Sequence, residues 1–138
     1  MLWKRIHVGA RERLLVARKG KFRGIFAPGD HWFFDVPFAR LETERHYVRN
    51  LIFQSPWTNY LLQNRGDLVE QFFVVVRTNR VQVAMVYVDS MLFKVLPPAK
   101  RVLLWRGVAE IRTEVVEVIA EPATPFDNIR LPEFSNSR

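Results

Sequence analysis

Lys19-Gly20-Lys21-Phe22-Arg23-Gly24-Ile25-Phe26-Ala27-Pro28-Gly29-Asp30-His31-Trp32-Phe33-Phe34 is the stretch on which the reading of the fold turns. Arg13 to Arg18 before it reads as a short strand, which Lys19-Gly20-Lys21 turns back into Phe22 to Phe26. Ala27-Pro28-Gly29-Asp30 is a turn signal, Pro supplying the fixed φ and Gly the positive φ of a type II turn. His31 to Phe34 is then a short aromatic strand, ended by Asp35-Val36-Pro37. Arg40 to Arg49 alternates, with Leu41, Thr43 and Tyr47 on one side and Arg40, Glu42 and Glu44 on the other.

One helix is expected after this. The Ser55 hydroxyl caps its first turn and Pro56 takes the first helical position, where its missing N–H costs nothing. Trp57, Tyr60 and Leu61 form one apolar stripe, and Arg65-Gly66 reads as the stop. Leu68 to Arg77 carries Phe72-Phe73-Val74-Val75-Val76, a β-branched run that reads as a buried strand. Thr78-Asn79-Arg80 turns it into Val81 to Val88, Asp89-Ser90 turns again into Met91 to Leu96, and Pro97-Pro98 precedes Val102 to Trp105 and Val108 to Ile119. The tail from Glu121, with Pro122, Pro125 and Pro132, reads as linker.

Sliding the sequence by 70 residues brings the two halves into register. Val16 falls on Val86, Pro28 on Pro98, Ala39 on Ala109, Thr43 on Thr113, Glu44 on Glu114 and Val48 on Val118. The expected fold is α+β and strongly β-rich: two related antiparallel β-meander units joined by a short helix. The organisation is 1–54 for the first unit with its basic N-terminus, 55–67 for the helix, 68–121 for the second unit and 122–138 for the Pro-containing tail. A meander of this size cannot bury its apolar face alone, so each unit needs a neighbour.

The charge is uneven. The chain of 138 residues has a net charge of +7. All of that excess lies in its first 23 residues, where Lys4, Arg5, Arg11, Arg13, Arg18, Lys19, Lys21 and Arg23 face a single acid, Glu12. Such a cluster attracts anionic headgroups or phosphate backbones, and it also suits an exposed β-edge. The chain has no cysteine, which excludes a disulfide framework, a thiolate zinc site and a cysteine nucleophile. It fits a reducing compartment. No apolar run approaches the roughly 20 residues of a spanning helix, and Met1-Leu2-Trp3 is too short for a signal-peptide core.

Arg11-Glu12-Arg13 and the stretch from Lys19 to Phe34 resemble the start of a stomatin/slipin-type (band 7, SPFH) domain. Glu12, Gly20, Phe22, Gly24, Pro28, Gly29, His31 and Pro37 occupy that family's pattern of a Glu-Arg start, spaced glycines and a Pro-Gly-x-His turn. Ala84 to Asp89 and Lys94 to Pro98 resemble the same pattern in decayed form, as in the extra N-terminal β repeats of bacterial slipin-like proteins. Two of the family's parts do not accompany the pattern here: the membrane-inserting hairpin ahead of it and the long Ala/Glu-rich helix after it. The resemblance implies a scaffold that forms homo-oligomers on the cytoplasmic face of a membrane, organises lipid and meets membrane proteins. It brings no catalytic residue and no cofactor.

The residues themselves motivate little chemistry. Asp30-His31 with Asp35 is the one cluster that suggests acid–base work, but no nucleophile accompanies it, and the second half has Lys100 and Arg101 in the places of Asp30 and His31. His7, His31 and His46 lack the spacing of a metal site, and Gly20 and Gly24 precede no phosphate-loop Lys. Alternation within Trp32-Phe33-Phe34 puts rings on both faces, for self-association or contact with lipid. Trp3, Trp57 and Trp105 read as core or seam. The expected function is a non-catalytic, peripheral scaffold module that self-assembles and associates with an anionic membrane surface. The alternative is a basic β-domain binding single-stranded nucleic acid, against which the placing of the aromatics in apolar runs argues.

Overall fold

The computed structural model describes residues 2–118. The chain is strongly β-rich and its paired strands are antiparallel, with two short helices in the middle. The first half contains β1 (Leu2–Val8), β2 (Glu12–Arg18), β3 (Lys21–Phe26), β4 (Gly29–Asp35), β5 (Leu41–Tyr47) and β6 (Ile52–Phe53). Helices α1 (Thr58–Asn64) and α2 (Gly66–Phe72) follow, then β7 (Phe73–Arg77), β8 (Gln82–Val88), β9 (Met91–Leu96), β10 (Arg101–Trp105) and β11 (Ile111–Glu117). The tail read as linker, 122–138, lies outside the described residues.

Neither half is a meander. In the first, β2 sits between β3 and β5, while β4 leaves that sheet to pair with β1. In the second, β8 sits between β9 and β11, while β10 pairs with β7 and β6. The departure has a physical basis in β1, a strand that the charged sequence Lys4-Arg5-Ile6-His7 concealed. Its Ile6 and Val8, with Phe33 of β4, pack on Leu14, Val16 and Leu41, burying a face that a lone three-stranded sheet would leave wet.

The registers of the two three-stranded sheets run in parallel along the sequence. Leu14 pairs with Phe26 and Ala84 with Leu96; Val16 pairs with Thr43 and Val86 with Thr113. A register shift falls between Val16 and Ala17 in one and between Val86 and Tyr87 in the other. The tight turns match as well. Lys19 and Gly20 have φ of 50° and 70°, as do Asp89 and Ser90, and two successive left-handed residues suit a two-residue hairpin. Gly9 N–H donates to Glu12 Oε1 at 2.8 Å, and Asn79 N–H donates to Gln82 Oε1 at 3.1 Å.

Three local expectations fail. Gly66 does not stop a helix but begins α2, so helix continues to Phe72 where a strand was expected from Leu68. Leu68, Val69 and Phe72 make one buried stripe, and Asp67 in the first turn favours the helix N-terminus and pairs with Arg65. The Ser55 hydroxyl accepts from the Trp57 N–H at 3.1 Å, one residue ahead of α1, and does not cap it. Gly29 is not the corner of a type II turn: its φ of 137° lies in the first residue of β4, opposite Val8.

Leu61, Phe73, Trp105 and Leu104 are among the deepest residues of the main core, which also takes in Leu15, Phe22 and Ile25 from the first sheet and Ala84, Val86 and Leu96 from the second. Phe53, Phe73 and Trp105 form an aromatic knot, with centroids 4.5 to 5.2 Å apart. The His46 ring lies 4.9 Å from Phe53. For that reason β5 turns its Glu44 and His46 side inward while Tyr47 is exposed. No described helix is long and apolar enough to cross a membrane.

Candidate functional site

The two-stranded β1–β4 sheet puts its inner side on the small core and leaves its outer side open. Opposed pairs along that outer side are Trp3 with Phe34, Arg5 with Trp32, and His7 with Asp30. Alternation on a strand explains the sorting: Phe33 points inward, whereas Trp32 and Phe34 point out. Trp3 meets Phe34 edge to face at 5.0 Å, and Trp3 and Trp32 keep 66% and 61% of their surface exposed. Trp3, read as a core or seam residue, is therefore not in the core. Trp105 is buried, and Trp57 is half-buried against Phe22.

The apolar end of this face continues into the loop after β4. Phe38 is 76% exposed, with the Lys19 ammonium 5.5 Å from its ring centroid. Leu2, Asp35, Val36, Pro37 and Arg40 line a shallow hollow of about 200 Å³ there. Arg18 holds the end together, donating to the carbonyl of Ala39 at 2.6 Å and to that of Phe34. Trp3 and Phe34 are thus exposed together on the outer face, Leu2 is exposed on the Lys4 side of β1, and Phe38 is exposed in the loop beside Lys19. Leu2 and Phe38 were missed in the sequence, although Phe38 between Pro37 and Ala39 in a loop has no strand neighbour to bury it.

The eight N-terminal cations do not form one patch. Lys19 and Lys21 flank the β2–β3 turn, and Arg23 lies exposed on the edge strand β3. Arg5 sits on the outer face, whereas Lys4 faces the opposite side of β1. Arg18 is engaged with backbone carbonyls. Arg11 and Arg13 belong to the other end of β2, where with Arg49, Val48, Gly107 and Val108 they line a cleft of about 350 Å³. Arg13 donates to the carbonyl of Glu12 at 2.7 Å, and burial pulls its guanidinium down from its ordinary value.

Asp30, His31 and Asp35 do not converge. Asp30 accepts from His7 Nδ1 at 2.7 Å, and that bond, with the nearby Arg5 charge, holds its carboxyl below the ordinary value. His31 turns away and donates from Nε2 to the Ala27 carbonyl at 2.7 Å. Asp35 lies five residues further along the strand, roughly 16 Å away at ~3.3 Å per residue. Among the described residues no group of His, Asp and Glu is placed to hold a metal ion.

No protein-family model matches the chain, and no curated protein and no solved structure matches it either.

Proposed function

We propose that this chain is a non-catalytic scaffold module of slipin or stomatin type, built of two related β units, that self-associates and lies peripherally on an anionic, cytoplasmic membrane surface. One observation supports the reading: Trp3, Trp32 and Phe34 are exposed on the outer face of the β1–β4 sheet, and Phe38 is exposed in the following loop beside Lys19 of the cationic turn. Trp is favoured at the level of lipid headgroups, and each nearby Lys adds about 1 kcal/mol of attraction to an anionic surface. A patch of that kind on a folded domain marks an interaction site. Self-association is supported by β9, an edge strand whose Met91 and Phe93 are exposed; β3, its counterpart in register, carries Lys21 and Arg23 at those positions. Charge on an edge discourages pairing with another chain, and an apolar edge invites it.

Co-sedimentation with vesicles containing phosphatidylserine tests the reading. The Lys19→Glu/Lys21→Glu chain is expected to bind roughly thirtyfold more weakly, from about 1 kcal/mol per cation removed. Trp3→Ala/Phe38→Ala is expected to reduce the blue shift of tryptophan fluorescence on vesicle addition, Trp32 remaining to report. Unchanged binding by both variants would end the proposal. Single-stranded nucleic acid is the second reading, favoured by Arg5 lying opposite Trp32 on an open face, an arrangement that suits base stacking beside a phosphate. A gel shift lost in Arg5→Glu/Trp32→Ala, with no vesicle binding, would replace the first reading with it.

A further inference from the structure

The two halves of the chain meet through one joint, and its parts can be named. On the far face of the sheet β3-β2-β5, Leu15 and Ile25 are paired and Phe22 stands opposite Ala17. All three are buried in the main core. On β5 the same face carries His46, opposite Arg13, and the His46 ring lies 4.9 Å from Phe53 and 5.8 Å from Trp105. Pairing and alternation put Phe53, Phe73, Leu103 and Trp105 on one side of the sheet β6-β10-β7. That side is what the far face of the first three-stranded sheet packs against. The other side, with Val76, Val102 and Leu104, shares the core with Ala84 and Val86 of β8.

The chain carries a second version of each half of that joint, and both are bare. Trp3 stands opposite Phe34 on the outer side of β1–β4, with ring centroids 5.0 Å apart, as Phe73 stands opposite Trp105 at 4.7 Å. Trp32 precedes Phe34 by two residues, as Leu103 precedes Trp105. Phe73, Leu103 and Trp105 are buried, whereas Trp3, Trp32 and Phe34 are exposed. On the sheet β9-β8-β11, Leu92 pairs with Tyr87 and Val95 with Met85, in the register of Phe22 and Ile25. Leu92 is 55% exposed where Phe22 is 7%, and Val95 is 49% exposed where Ile25 is 7%. Val116, opposite Val83, takes the place of His46 and is exposed too. Among the described residues nothing covers either face. The two bare faces are the opposite ends of a stack of four sheets, β1–β4, β3-β2-β5, β6-β10-β7 and β9-β8-β11, so one copy cannot close them on each other. Each nevertheless has its mating surface in this same chain.

We propose that a second copy of this chain docks head to tail, the Trp3, Trp32 and Phe34 face of one copy seating on the Leu92, Val95 and Val116 face of the next. The joint inside the chain is its template, and a contact between unlike faces repeats into an open row of copies. The inference rests on the reading of two related, self-associating units and gives that association its surfaces. Sedimentation velocity of the full chain in lipid-free buffer tests it. The parent is expected to grow past the dimer as concentration rises, while Trp3→Asp/Phe34→Asp and Leu92→Asp/Val95→Asp each stay monomeric. Mixed in equal amounts, the two variants are expected to form a one-to-one dimer and nothing larger, because each keeps one intact end. A monomeric parent overturns the proposal, and so does a variant that assembles alone, which would favour pairing of β9 edges instead. The absence of cysteine permits a second measurement that needs no aspartate. Phe34→Cys and Leu92→Cys chains mixed with a short bis-maleimide are expected to cross-link to each other about tenfold faster than either does to itself, since docking raises the local thiol concentration. Equal rates overturn the proposal. Vesicle binding by a strictly monomeric parent would sink this inference alone, and assembly by a parent that binds no vesicle would sink the membrane reading alone.

Discussion

The sheet β3-β2-β5 and the sheet β9-β8-β11 share their strand order, their register, the place of their irregularity and the backbone conformation of their tight turn. Among the described residues they differ in neighbours: the first is buried on both faces, the second on one. Position by position, the residues have followed the neighbours. Phe22 and Ile25 fill a core, while Leu92 and Val95 occupy the same sites on an open face. Backbone pairing and side-chain burial are thus specified separately here, the first by turn and strand chemistry within a unit and the second by whatever the chain places on top.

The largest expected effect breaks the comparison at its core. Phe22→Ala should destabilise the chain by about 3–5 kcal/mol in urea unfolding, the usual range for a buried aromatic. Leu92→Ala should cost under about 0.5 kcal/mol if the face stays open and about 2 kcal/mol or more if it is covered. The next test asks whether the shared faces are energetically alike. Val16→Ala and Val86→Ala, each removing methyls from a fully buried site, should cost about 2 kcal/mol apiece and agree within about 1 kcal/mol.

A smaller effect of opposite sign is expected at the turns. Ser90 carries a φ of 70° that Gly20 adopts freely, so Ser90→Gly should raise stability by about 1 kcal/mol, read as a shift in the unfolding midpoint. The smallest is a pH effect. The Gly9 N–H, followed by Arg45, holds the Glu12 carboxyl below its ordinary value. A carboxylate depressed on folding gives stability that is present above the ordinary value of about 4.5 and is lost as pH falls through the folded-state value. Gln82 makes the corresponding bond without a charge. Glu12→Gln should therefore keep the turn and flatten the acid limb of the melting-temperature profile, whereas Gln82→Glu should steepen it.

What could be read from the sequence was local. The β2–β3 hairpin and the alternation of β5 follow from residues a few positions apart, and so does the exposure of one ring in Trp32-Phe33-Phe34. What could not be read depended on distant partners. The pairing of β4 with β1 joins residues more than 20 positions apart, and Lys4, Arg5 and His7 gave β1 no apolar signature. Leu68 to Phe72 was ambiguous because a short apolar run suits a strand or a buried helix equally. The candidate site divided in the same way. Its cations are conspicuous in composition, but β2 separates Arg11 and Arg13 from Lys19 and Lys21 by the length of a strand, which a count of charges does not reveal.

The helical connector is shared property. It departs from one unit and lends that unit its roof, so severing the chain ahead of Ser55 would unroof Phe22 even though every strand of the first half remained. The same arrangement sets a rule for growth. If a further connector and unit were spliced on after β11, the new connector would stand over β9-β8-β11 as the present one stands over β3-β2-β5.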